Sequence, residues 1–194
     1  MNLIKVLGIL GGVVPWSSIL TSIALSPWFN VYDNALSDLG NIGRNSPAAY
    51  IFNAGLIVSG VLIMFFALLL SISRRSWEFL IWTIPVFLGA ADLALIGVFS
   101  EDAGRIHGIV SVIFFALIAI TSVIYSYASW PLGSPRIGAV AISFGIASAF
   151  VWFVPWPWRG VAIQEAATSL MATAWLVLVS LSLPDSTARG RWIN

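Results

Sequence analysis

Six apolar stretches, at about residues 3–25, 48–73, 77–98, 105–128, 137–154 and 161–183, take up almost the whole of this chain. Each is close to the roughly 20 residues that a helix needs to cross a hydrocarbon core of about 30 Å. Charged residues make up 9% of the sequence, against about 25% in a soluble domain. All but one lie in or near the gaps between stretches; the exception is Asp92, inside the third. A water-soluble fold of 194 residues has no way to hide so much apolar surface. The pattern predicts an all-α, polytopic membrane bundle of six transmembrane helices. It forms one domain over residues 1–184, with a short polar cytoplasmic tail over 185–194.

The gaps are punctuated by turn residues: Pro27, Asn30, Asp33, Asn34 and Gly40 in the first, Arg74-Arg75 in the second, Ser100 to Gly104 in the third, Pro131, Gly133 and Pro135 in the fourth, and Pro155-Trp156-Pro157 in the fifth. Pro15 and the run Trp16-Ser17-Ser18 interrupt the first stretch, which reads as a retained helix and not as a cleaved signal segment. Six spans put both termini on one side. Lys5, Arg74, Arg75, Arg136, Arg189 and Arg191 share that side, and Arg44, Arg105 and Arg159 fall on the other. The positive-inside rule then expects a multi-pass protein of the cell membrane with both termini cytoplasmic. Asp33, Asp38, Glu101, Asp102 and Glu165 face outward in that orientation.

Composition also excludes chemistry. There is no cysteine, which removes disulfides, thiolate metal sites and Cys nucleophiles. No basic run points to nucleic acid; the expected partners are membrane lipids. Of the ten tryptophans, Trp28, Trp77, Trp130, Trp156 and Trp158 lie near span ends, as an aromatic belt requires. Trp16 and Trp175 lie nearer mid-span, where they either pack or line a pocket. Gly8 with Gly12, and Ala141, Gly145 and Ala149, carry the four-residue spacing that lets helices approach closely.

An acidic residue at the centre of a span costs about 2.5–3.5 kcal/mol on the insertion scale. Asp92 sits four to five residues from the outer span end, roughly 6–9 Å deep at about 1.5 Å per residue. Asn53, His107 with Ser111 one turn below, Gln164, Glu165, Thr168, Ser169, Thr21 and Ser22 lie at similar depth in four other spans. The inner half offers mainly Ser and Thr, which bond their own helix. The asymmetry predicts a polar cavity opening outward, floored by Asp92, rimmed by acidic loops and balanced by Arg105 and Arg159. The plainer alternative is that Asp92 pairs with Arg105, His107 or Arg159 to hold the bundle together.

Two short stretches carry further signal. Asn34-Ala35-Leu36-Ser37-Asp38-Leu39-Gly40-Asn41 has Ser37 or Asp38 as a cap and Gly40 as a stop. Phe99-Ser100-Glu101-Asp102-Ala103-Gly104-Arg105-Ile106-His107-Gly108 packs two acids, an Arg and a His into one inter-helix turn. The Ser-Asp-Leu-Gly turn, the Ile51-Phe52-Asn53-Ala54-Gly55-Leu56 opening of the second span and the Phe-x-Glu-Asp turn before His107 resemble domain of unknown function family 998. That family comprises small six-span prokaryotic membrane proteins, loosely grouped with FRAG/DRAM/Sfk-like proteins. Ser100 departs from it, standing where the pattern Phe-Pro-Glu has proline. The resemblance implies the fold and an outward site at Ser37, Asp38, Asn53, Glu101, Asp102 and His107, and no activity.

Three functions are compatible with these residues. One is a binding module for a lipid head group, cation or small amphiphile, with Asp38, Ser37, Asn53, Arg105 and Arg159 as binding residues. Another is a membrane-embedded hydrolase or transferase acting on a lipid-like substrate, with His107, Asp92 and Glu165 as catalytic candidates. Metal assistance there falls to Asp38, Glu101 and Asp102, whose oxygens suit Mg²⁺ or Ca²⁺. One His and no Cys make zinc a poor fit. The third is a transporter, against which stand the missing repeat and the one-sided polarity.

Overall fold

The computed structural model describes residues 2–183, so the 185–194 tail, with Arg189 and Arg191, lies outside the described residues. Six long helices carry the fold: α1 (Leu3–Ala24), α3 (Ala48–Ser73), α4 (Trp77–Val98), α5 (Arg105–Ala128), α6 (Pro135–Phe153) and α7 (Ala162–Ser182). A one-turn helix, α2 (Ile42–Asn45), interrupts the first connection. Each long helix packs on its chain neighbour and α7 returns to α1, closing an up-and-down ring. The six expected spans are all present, with ends within two residues of expectation; α6 starts early because Pro135 fits the first helical turn, where its missing N–H is not needed.

The ring is inside-out relative to a soluble bundle. Only 22–44% of the most apolar stretch of each long helix is buried within it, and the outward face is lined by residues such as Leu20, Phe65, Val112 and Phe150. That surface requires hydrocarbon as its solvent.

Two apolar clusters fill the ends. At the end holding the start of α1, Trp82, Tyr125 and Trp175 meet edge-on, with ring centroids 5.1–6.2 Å apart, among Phe66, Leu70 and Val179. At the other end, Leu36 and Leu39 from the first connection pack on Ile19, Phe52, Leu93 and Ile96.

The expected close approaches hold for Gly8, Gly12 and Gly145. A methyl on Gly8 would collide with Ser180 of α7, one on Gly12 would press on Thr173, and one on Gly145 would lie 2.7 Å from the Ser122 Cβ of α5. These contacts let α7 close against α1 and α6 against α5.

Proline explains one further contact. Pro15 lies inside α1 and has no N–H to give the Gly11 carbonyl one turn back. Ser59 of α3 donates its hydroxyl to that oxygen at 2.5 Å, a repair that a lipid-embedded helix needs because no water reaches it. Ser59→Ala is expected to lower stability by about 1 kcal/mol, measured by thermal unfolding in detergent. In a Pro15→Ala background, where the helix supplies its own donor, the same change is expected to cost much less.

Candidate functional site

Two polar residues of the spans, Glu165 and Asn53, and the acids of the third connection meet one object, the segment Leu36–Asn45 of the first connection. Its 3₁₀ turn, Leu36–Gly40, and α2 are set into the mouth of the ring. Leu39 is fully buried and Leu36 nearly so. Irregular backbone at such a place must find every hydrogen bond inside the protein. Glu165, in the first turn of α7, accepts from the Leu36 amide at 2.5 Å and from the amide and hydroxyl of Ser37. Asn53 of α3 donates to the Gly40 carbonyl at 2.9 Å. Asn45 donates to the Leu39 carbonyl at 2.8 Å and accepts from Ser26 and Trp28. Asp102 accepts from the amides of Ile42 and Gly43 at 2.5 and 3.0 Å. Glu101 accepts from Asn41 at 2.7 Å.

Asp38 works locally. Its carboxylate accepts from Asn34 and from the Ala35 amide, at 2.9 and 3.2 Å, and faces Arg44 at 4.0 Å. Arg44 in turn lies over the Trp28 ring, 3.8 Å from its centroid. Gly104, at φ +56°, takes a backbone conformation open to glycine that lets α5 start directly after the Glu101–Ala103 turn.

The three catalytic candidates stand apart in their bonding. Glu165 is committed to Leu36 and Ser37. His107 is buried at the start of α5; its Nδ1 bonds the Phe99 carbonyl at 2.8 Å, and its Nε2 faces Ser111 Oγ at 3.3 Å. The carbonyl requires Nδ1–H to donate, which leaves Nε2 to accept from Ser111. Asp92 is buried in α4, and one of its carboxylate oxygens has no hydrogen-bond partner. Among the described residues no ion pair joins Asp92 to Arg105, His107 or Arg159. Arg105 is exposed, and Arg159 lines a shallow outer pocket with Tyr32, Asp33, Pro157 and Trp158. Among the described residues no three His, Asp or Glu side chains gather as a metal site; Asp38, Glu101 and Asp102 hold amides instead.

Beneath the inserted segment lies a chamber of about 130 Å³, lined from all six long helices. Its walls differ from the acidic ones expected. Asp92, His107 and Glu165 do not line it; Trp16, Ile19, Leu56, Leu93, Phe114 and Phe144 do, with hydroxyls from Ser59, Thr121, Ser148 and Thr173 between them. Glu165 is turned to the Leu36 amide and His107 to the Phe99 carbonyl, and Asp92 is buried in α4 off the chamber wall. Trp16 and Trp175 both face this chamber. Trp16 Nε1 donates to Thr173 at 3.0 Å, whereas Trp175 Nε1 and Ser148 Oγ are buried without partners. Sequence reasoning missed Ser148 and Gly89. The available signal was that a hydroxyl and a glycine fall on the inward faces of α6 and α4.

The chain matches, over residues 9–182, a family described as Protein of unknown function (DUF998). No curated protein and no solved structure matches it.

Removing the Glu165 carboxylate strands the buried Leu36 amide, so Glu165→Ala is expected to lower stability by about 1–3 kcal/mol. Glu165→Gln, which keeps an acceptor oxygen, is expected to lose less; thermal unfolding of the purified variants compares them. Asp102 gives a pH signature. The Gly43 and Ile42 amides hold it below its ordinary value of 3.8. Its contribution is therefore complete above that value and fades as pH falls through the lower, folded-state value. Asp102→Asn is expected to flatten the acid limb of a stability–pH curve recorded between about pH 5 and 2.

Proposed function

We propose that this chain, which belongs to the DUF998 family of proteins of unknown function, is a membrane-embedded binding module for a small amphiphile. The apolar part of the ligand occupies the central chamber, and its hydrogen-bonding group meets Trp175 and Ser148. The supporting observation is the chamber itself: a space reached by all six long helices, apolar in most of its wall, with two buried polar atoms lacking partners. Buried polar groups are almost always hydrogen-bonded, so a carbonyl, ester or hydroxyl on the ligand, or a bound water, completes them. Seating the Leu36–Asn45 segment by so many side chains fits a fixed cap over such a chamber. The cap faces outward in this reading, since Lys5, Arg74, Arg75 and Arg136 lie at the opposite end of the ring.

A second reading, an enzyme of the hydrolase or transferase class on a lipid-like substrate, is favoured by the His107–Ser111 pair. With Nδ1 anchored on Phe99, the free Nε2 is oriented to take a proton from Ser111. Turnover of native lipid extract that is lost in Ser111→Ala, with folding intact, would move the assignment to this reading.

The binding reading is tested by filling the chamber. Gly89 lines it, and a Cβ there meets only Leu117, at an ordinary 3.7 Å. Gly89→Leu is expected to fold and to lose, about tenfold or more, the amphiphile that co-purifies with the parent protein, as read by native mass spectrometry. Gly108→Leu, where nothing lies within 4 Å, is expected to retain it. Equal occupancy in Gly89→Leu and parent would refute the proposal, as would a parent protein that carries none.

A further inference from the structure

The shallow outer pocket formed by Tyr32, Asp33, Pro157, Trp158 and Arg159 shares no residue with the central chamber, and its rigidity is built into two crossing connections. The Tyr32 carbonyl accepts from the Arg159 and Gly160 amides at 3.0 and 2.8 Å, and the Asn34 carbonyl accepts from Val161 and Ala162 at 3.1 and 3.0 Å. Only a glycine fits at 160, because a Cβ would collide with the Asn34 backbone. Trp158 is fixed from two sides. It donates to Gln164 at 3.2 Å and stacks on Trp156, with centroids 4.8 Å apart and planes 13° from parallel. Tyr32 lies against it at 6.1 Å.

Two opposite charges open onto this pocket without meeting. Among the described residues Arg159 makes no ion pair and its guanidinium has no hydrogen bond. Asp33 has one oxygen bonded to Asn30 at 2.8 Å and the other unbonded among the described residues. The pocket sits between the end of α6 and the start of α7, where tryptophans mark the headgroup level of a bilayer. We propose that it binds the headgroup of a zwitterionic phospholipid. Arg159 takes the phosphate, for which a guanidinium is well shaped. Asp33 takes the ammonium, which the faces of Tyr32 and Trp158 also favour. An anionic headgroup satisfies Arg159 but leaves Asp33 opposite a negative or neutral group, so the pair selects for the zwitterion.

The test is lipid retention from mixed vesicles of phosphatidylethanolamine and phosphatidylglycerol in equal amounts, read by native mass spectrometry of the purified protein. The parent is expected to retain phosphatidylethanolamine at least about threefold over phosphatidylglycerol. Asp33→Asn is expected to abolish the preference, and Arg159→Gln to reduce retention of both lipids. Gly89→Leu is expected to keep the preference, which separates this site from the chamber. The Arg159 side chain holds no other group, so Arg159→Gln remains informative if Asp33→Asn fails to fold. Equal retention of the two lipids by the parent, a preference unchanged in Asp33→Asn, or full retention in Arg159→Gln would each overturn the proposal.

Discussion

A peptide N–H or C=O that faces hydrocarbon without a partner is costly enough to forbid irregular backbone inside a membrane. This chain nevertheless sets a ten-residue segment, Leu36–Asn45, made of one 3₁₀ turn and one helical turn, into the mouth of its helical ring. Two polar residues inside the spans, Glu165 and Asn53, help make that possible. Glu165, Asn53 and Asn45 complete the Leu36, Ser37, Gly40 and Leu39 backbone groups, and Asp102 those of Ile42 and Gly43. The same constraint acts at Pro15, where a serine from a neighbouring helix replaces the donor that the imino acid lacks.

The interior has apolar walls with hydroxyls, between a leucine-bearing cluster at one end and a tryptophan–tyrosine cluster at the other. The six long helices surround a space of about 130 Å³ that their side chains leave unfilled. It suits a molecule that is mostly hydrocarbon with one polar group. The pocket at Arg159 and Asp33 is chemically different, with two opposite charges beside aromatic rings, and is the proposed headgroup site.

How much of this could be read from the residues depends on the range of the interaction. The spans follow from hydropathy over about 20 residues, a local property, and their ends were legible to within two residues. Asn53, Glu165, Glu101, Asp102 and His107 are conspicuous in the sequence, because polar groups inside or beside a span stand out against their neighbours. Their partners were not. Glu165 meets Leu36 across 129 residues of chain, and no periodicity records that a loop folds back into the ring. An acid next to a helix start reads equally well as a ligand group, a counter-charge or a cap. The decision rests on where the Ser-Asp-Leu-Gly turn lies in space. Ser148 and Gly89 were harder to single out, because the inward-face signal they carry is shared by many small residues in these helices.

The central claim is that the Leu36–Gly43 backbone is hydrogen-bonded to side chains of the spans and the Glu101–Ala103 turn. Amide hydrogen exchange of the peptide covering these residues, in the protein held in lipid nanodiscs, reads those bonds directly. The account requires exchange slowed to the range of the helix ends beside it, with protection at Leu36 and Ser37 lost in Glu165→Ala while the six long helices stay protected. Exchange at the rate of an unstructured surface loop in the parent protein would contradict it.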